Sequence, residues 1–193
     1  MESTPPNRIK IDLRDLIIKP LDSETSRAAF SCGDETNPSN KELSHYFREF
    51  AGDHHTKAWV RVYVGLYQEE IVAYYWLSAQ GVDPSKLNEK TAEHMGRIEF
   101  ASCVYLGMLA TKTEYQGNGI GPVMMLHAFR QAIKVSELVG IYAITLQAVD
   151  KRTADKYAAD FDFKPFDDGS QITGTSKNIW MFLPLETARK AIK

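Results

Sequence analysis

The clearest capacity for chemistry lies at residues 115–122, which read Tyr-Gln-Gly-Asn-Gly-Ile-Gly-Pro. Gly117, Gly119 and Gly121 strip side chains from three alternate positions, so the backbone can curl tightly and turn several N–H groups into one concavity. A helix starting there adds its own unpaired N–H groups and the positive end of its dipole, and the whole suits a pyrophosphate. No Gly-Lys-Ser/Thr closes the loop, so it is not a Walker A loop. The spacing GxGxG also differs from the GxGxxG of dinucleotide sites. A strand-to-helix turn with no ligand is the plainer reading of the same glycines.

Other candidates carry less. Adjacent His54 and His55 do not share a helix face, and no carboxylate or cysteine cluster completes a ligand set, so no metal site is read. Cys32 has no thiolate-stabilising neighbour in the sequence and reads as a packed thiol or a turn residue. Tyr74-Tyr75-Trp76 alternates like a strand, with one side toward the core and the other toward a cleft wall.

The elements that must hold the loop follow from periodicity. Residues 8–13 alternate polar and apolar like a half-buried strand. Ser39 and Glu42 form a capping box ahead of a helix whose stripe is Leu43, Tyr46, Phe47 and Phe50. Residues 59–66 and 71–77 flank a polar tip and read as an antiparallel hairpin. Asp83-Pro84 marks a turn, with a helix over 86–95, and residues 100–110 read as a buried central strand. After the glycine loop comes a helix with Pro122 near its first turn and an apolar stripe of Met124, Met125, Phe129, Ile133 and Leu138, closed by Gly140. A strand over 141–148 follows, then a short helix capped by Asp150 and running to about Ala159. Two strands, 161–166 and 178–183, and a helical tail from Glu186 complete an α/β (α+β) single domain spanning residues 1–193.

Composition narrows the class. The 193 residues suit one domain with a real core, and 44% hydrophobic with 25% charged residues is ordinary for a globular chain. A net charge of -2 gives no overall pull toward nucleic acid. Two distant cysteines make no disulfide framework. Residues 1–6 have neither the basic start nor the apolar stretch of a signal peptide, and the longest apolar run is too short for a bilayer. The chain is therefore expected in the cytoplasm, with no membrane partner.

Gln116, Gly119 and Gly121 fit Q/R-x-x-G-x-G/A, and here the chain resembles the GNAT acetyltransferase superfamily, whose coenzyme A pyrophosphate loop has this pattern. Leu106-Gly107-Met108-Leu109-Ala110-Thr111 is similar to the central strand of that family. The resemblance implies a mixed, mostly antiparallel sheet flanked by helices, and a splayed central strand whose backbone pairs with pantetheine. It implies acetyl-CoA contacts at Leu109, Ala110, Thr111, Gln116, Gly117, Asn118, Gly119, Ile120 and Gly121, with an N–H near Leu109 or Ala110 facing the thioester oxygen. Ala148-Val149-Asp150, the helix bearing Tyr157, and Phe161-Asp162-Phe163 resemble the segment that closes the family's cleft. Counted from Ala148, Tyr157 falls where the family places a tyrosine acid. Counted back from Asp162-Phe163, where the family writes Gly-Phe, it is one residue early. No general base stands out. Glu99, at the start of the central strand, is a candidate for relaying the amine's proton, as is His94, while a solvated charge is the plainer reading of Glu99.

A narrower resemblance covers four segments. Phe30-Ser31-Cys32-Gly33, Ile71 to Ser78, Leu106 to Thr111 and Trp180 to Leu185 are similar to stretches of GNAT toxins from bacterial toxin–antitoxin pairs. That implies an N-acetyltransferase acting on the amine of aminoacyl-tRNA, neutralised by a ribbon-helix-helix antitoxin, with a homodimer among the assemblies open to it. Two features depart from the toxin pattern. Met108 stands where the toxins have arginine, and the chain is slightly acidic where they are basic. Those departures favour a housekeeping acetyltransferase of a small or protein amine. The missing base leaves a silent CoA-binding domain as a third reading.

Overall fold

A computed structural model describes residues 8–87, 89–166 and 178–192. Among them are seven strands, β1 (Ile17–Pro20), β2 (Arg61–Tyr67), β3 (Glu70–Val82), β4 (Ala101–Thr111), β5 (Ala143–Ala148), β6 (Lys164–Pro165) and β7 (Ile179–Pro184). The α-helices are α1 (Pro38–Glu49), α2 (Ala51–Thr56), α3 (Glu89–Met95), α4 (Ile120–Ser136), α5 (Lys151–Phe161) and α6 (Leu185–Ala191). The strands form one mixed, mostly antiparallel sheet in the order β1-β2-β3-β4-β5-β7-β6. Contacts group the chain into two units, 8–77 with 108–127 and 78–107 with 128–192.

The first unit is built on the hairpin. β2 and β3 pair antiparallel, and β1 adds on the far side of β2. The tip residues Gln68 and Glu69 both have positive φ, 49° and 67°. Two left-handed residues in a two-residue tip match the right-handed twist of the strands they join. The core beneath is aromatic. Phe47 stacks on Tyr74 at 4.2 Å between ring centroids, and Phe30 meets Phe47 edge-on at 4.8 Å. Tyr74 is fully buried, and its hydroxyl donates to the carbonyl of Leu43 at 2.7 Å, which removes the cost of burying it.

In the second unit β4 pairs parallel with β5 over Cys103–Leu106, and β7 pairs antiparallel with β5 and β6. Phe166 stacks on Trp180 at 5.8 Å and meets Phe182 edge-on. Phe129 packs against Phe161 and Phe163. Asp150 caps α5 by accepting the Thr153 N–H at 2.7 Å, as its position in the sequence requires.

Several elements differ from the sequence expectation. Residues 8–12 form no strand. Their backbone bonds go to the 114–118 turn instead of a strand partner, and a 3-10 turn follows at Leu13–Asp15. α1 begins one residue before the proposed Ser39 cap. Asn37 caps it by accepting the Ser39 N–H, with Pro38 in the first turn, where its missing N–H costs nothing. β3 runs on to Val82, past the expected end of the hairpin. Leu138 lies beyond the end of α4 and is 88% exposed, so it is not part of the buried stripe. The strand expected over 161–166 shrinks to Lys164–Pro165 because α5 continues through Phe161. The signal-peptide reading of residues 1–6 falls outside the described residues.

Candidate active site

The glycine loop leaves β4 at a strand irregularity. β4 extends to Thr111, yet its pairing with β5 covers only Cys103–Leu106. Met108 then takes φ +47°, left-handed and unusual for a side chain of its size. Such a residue inside a strand marks a bulge, which re-aims the backbone groups after it. Leu109, Ala110 and Thr111 follow, with Ala110 buried.

After Thr111 the chain is tied down on several sides. The Lys112 N–H donates to the Val72 carbonyl at 2.8 Å. The buried Lys112 ammonium donates to the Glu70 carboxylate, and the Tyr115 hydroxyl donates to the other Glu70 oxygen at 2.5 Å. Lys112, and less so Tyr115, holds the Glu70 carboxyl below its ordinary pKa. The Glu70 carboxylate, followed by burial, pushes Tyr115 up to about 12. Burial works against the charge on Lys112, and Glu70 and Glu114 outweigh it, so its pKa is raised.

Ser31 and Cys32 hold the loop from the other side through their carbonyls. Thr113 donates to Ser31 with both its N–H (2.9 Å) and its hydroxyl (3.0 Å). The Gln116 side-chain amide donates to the Cys32 carbonyl at 2.7 Å and to the Thr111 carbonyl at 3.1 Å. Gln116 thus acts as an internal strut of the loop. The Cys32 thiol is buried against the Ser44 hydroxyl, and burial raises its pKa, so it is poorly suited to nucleophilic work.

Gly117 and Gly119 have φ of +85° and +79°, a conformation that residues with a side chain adopt at a cost. Gly121 has open space where a Cβ would stand. Among the described residues nothing accepts the N–H groups of Gly117, Asn118, Gly119, Ile120 or Gly121. The loop and the first turn of the 17-residue α4 therefore carry a run of free donors and the positive end of a helix dipole. This donor set fits a pyrophosphate.

In the second unit, α5 ends on Asp162 with φ +64°, and the Phe163 N–H reaches back to the Tyr157 carbonyl at 3.4 Å. This is a glycine-type helix ending made by an aspartate. Tyr157 is half-buried with its ring 6.1 Å from that of Phe163, and burial raises its pKa. Its hydroxyl has no hydrogen-bond partner among the described residues. Glu99 is exposed in a bend just before β4, and His94 is exposed on α3, with its Nδ1 2.7 Å from the Lys90 carbonyl. His55 Nδ1 accepts the Val62 N–H at 3.0 Å, while His54 lies between the rings of Tyr46, Phe50 and Trp59. The structure thus gathers the nine loop and strand residues in the first unit and has Tyr157 and Glu99 in the second.

The acetyltransferase (GNAT) family pattern matches residues 24–163, and the chain belongs to that family. Its fold is shared by a tyrosine-to-phenylalanine mutant of KacT, with a TM-score of 0.76 at 22% identity over 92% of this chain and 99% of that one. AtaT complexed with acetyl-methionyl-tRNAfMet aligns with a TM-score of 0.75 at 22% identity, over 93% of this chain and all of that one. A tyrosine-to-phenylalanine mutant of the AtaT toxin, bound to the C-terminus of the antitoxin AtaR and acetyl-CoA, aligns at 0.69 and 21% identity over 92% and 97% of the two chains. No helix among the described residues is long and apolar enough to cross a membrane.

Proposed function

We propose that the chain is an acetyl-CoA-dependent N-acetyltransferase whose acceptor is the primary amine of an aminoacyl-tRNA. The observation that carries the reading is the run of free backbone N–H groups from Gly117 to Gly121, set after a bulged strand in a chain of the GNAT family. That AtaT is found with acetyl-methionyl-tRNAfMet at full coverage of its chain supports the choice of acceptor. Acetyl-CoA would supply a thioester whose carbonyl carbon is open to direct attack by a neutral amine.

The roles of the chain's own residues follow. Gly117 to Gly121 would hold the phosphates with backbone N–H groups, and Gln116 keeps the loop in shape. The N–H of Leu109 or Ala110, re-aimed by the bulge at Met108, donates to the oxygen that becomes negative in the tetrahedral intermediate. Thr111 would continue the strand edge available to the pantetheine arm. Tyr157 protonates the leaving thiolate, a role suited to a phenol that burial keeps protonated. Glu99 relays the amine's proton through water. Holding both reactants in one cleft supplies much of the acceleration.

The toxin reading adds a ribbon-helix-helix antitoxin as partner and a cytoplasmic site of action. Met108 and the net charge of -2 favour a small or protein amine instead. A thiol-trapping chromogen separates the two. Release of free CoA thiol that depends on added charged tRNA supports the proposal. Release that responds to small amines or peptides and ignores charged tRNA assigns the housekeeping reading. No release with any acceptor overturns both.

A further inference from the structure

The segment that forms no strand, residues 8–12, is bound to the glycine loop. The Ile9 N–H donates to the Glu114 carbonyl at 2.8 Å. The Asn118 side-chain amide donates to the Ile9 carbonyl at 2.8 Å and to the Tyr115 carbonyl at 2.9 Å, while its oxygen accepts the Ile11 N–H at 3.3 Å. One side chain at the centre of the loop therefore fastens the N-terminal segment and shapes the loop beneath it. Leu13 follows, its Cδ1 3.4 Å from where a Cβ on Gly119 would stand.

This fastening brings Arg8 to the loop. Its Nη1 lies 3.1 Å from the position of a Cβ on Gly117. Arg8 is exposed and has no hydrogen-bond or ion-pair partner among the described residues. An exposed arginine with a nearby carboxylate commonly pairs with it. Here Glu114 faces Lys112 at 3.6 Å, and Glu70 is occupied by Lys112 and Tyr115. The guanidinium is thus a free, permanently charged fork of donors beside five free backbone N–H groups.

We propose that Arg8 is a phosphate ligand, closing over the pyrophosphate of coenzyme A, with Asn118 as the residue that positions it. The inference rests on the reading of this loop as an acetyl-CoA site. It adds a side-chain cation to a site otherwise made of backbone. The pyrophosphate is assigned over the 3′-phosphate because the guanidinium sits at Gly117, within the donor run. Asn118 acts through Ile9 and Ile11, since both of its amide hydrogens are taken by the Ile9 and Tyr115 carbonyls and its oxygen holds Ile11.

The test is calorimetric titration of coenzyme A and of dephospho-CoA, which lacks the 3′-phosphate, into wild type, Arg8→Gln, Arg8→Lys and Asn118→Ala. Thermal unfolding of each variant checks the fold. Arg8→Gln should bind both ligands about tenfold more weakly, the range of a lost charge-assisted bond, with a shallower salt dependence. Arg8→Lys should fall between. Asn118→Ala should lose a comparable factor and show faster amide exchange at Ile9 and Ile11. Wild-type affinity in Arg8→Gln overturns the proposal, and so does a loss seen with coenzyme A but not with dephospho-CoA. A wild-type protein that binds neither ligand overturns the acetyl-CoA reading itself, a result distinct from either.

Discussion

Replacing Glu70 with glutamine removes the charge on which the root of the glycine loop is hung. In the wild type the Glu70 carboxylate takes the ammonium of Lys112 and the hydroxyl of Tyr115. Lys112 has only 10% of its side chain exposed, and its remaining carboxylate, Glu114, stands 3.6 Å away. A fully buried pair would lose roughly 3–5 kcal/mol on removal of one partner. The Glu70 side chain is 42% exposed, so water screens it and the expected loss is about 2 kcal/mol. With a urea slope of about 2 kcal/mol/M, the midpoint should fall by about 1 M, and Tm by roughly 4–8 °C. Because Glu70 has a lowered pKa when folded, its contribution is complete above the unfolded carboxylate value of about 4.3 and is lost as pH falls through the folded value. The gap between wild type and Glu70→Gln should therefore be full at about pH 7 and close in stronger acid. Urea unfolding at the two pH values decides it. A gap under about 0.5 kcal/mol near neutrality, the size of an ordinary surface substitution, would mean that Glu70 does not anchor the loop. A gap that persists undiminished in acid would mean that its charge does not.

Other outcomes follow from the same structure. Gly119→Ala must hold a left-handed φ of +79°, costing about 1–2 kcal/mol in thermal unfolding and weakening coenzyme A binding in titration. Phe47→Ala empties the space under Tyr74 and should cost about 3–5 kcal/mol in urea unfolding. Asp150→Ala removes the α5 cap and should lower Tm by a few degrees at neutral pH. Asp150 has a lowered pKa because of its bond from the Thr153 N–H, so this loss too should shrink in acid. Tyr157→Phe should lower kcat by about two orders of magnitude with little change in KM for acetyl-CoA, measured by thiol release, about the lower bound of acid catalysis. Since burial raises the Tyr157 pKa, the wild-type rate should show no alkaline fall from this group below about pH 10.

What can be read from the sequence is local. The hairpin tip, the Asp150 cap and the glycine loop each follow from a few adjacent residues, and each stands where its chemistry puts it. The parts that escape depend on distant partners. Residues 8–12 alternate like a strand, yet their backbone bonds go to Glu114 and Asn118, over a hundred positions on. Glu70 reads as a polar tip residue, and only the return of β4 brings Lys112 and Tyr115 to it. The carbonyls of Ser31 and Cys32 carry no signal in residue type at all. Met108 stands out in the sequence as a missing arginine, whereas its left-handed backbone, which re-aims the strand, is invisible in a methionine code. Asp162 is the intermediate case. The Asp-Phe step reads as a departure from Gly-Phe, but aspartate is among the residues that best tolerate the left-handed cap it makes.

Label transfer separates acetyl transfer to a charged tRNA from transfer to every other proposed acceptor. Acetyl-CoA labelled in its acetyl group is incubated with the protein and either aminoacylated tRNA or the same tRNA after deacylation. Label should appear on the charged pool alone, stay on the amino acid after the ester is hydrolysed, and accumulate about a hundredfold more slowly with Tyr157→Phe. Label on neither pool, from a protein shown to bind coenzyme A, would contradict transfer to a charged tRNA.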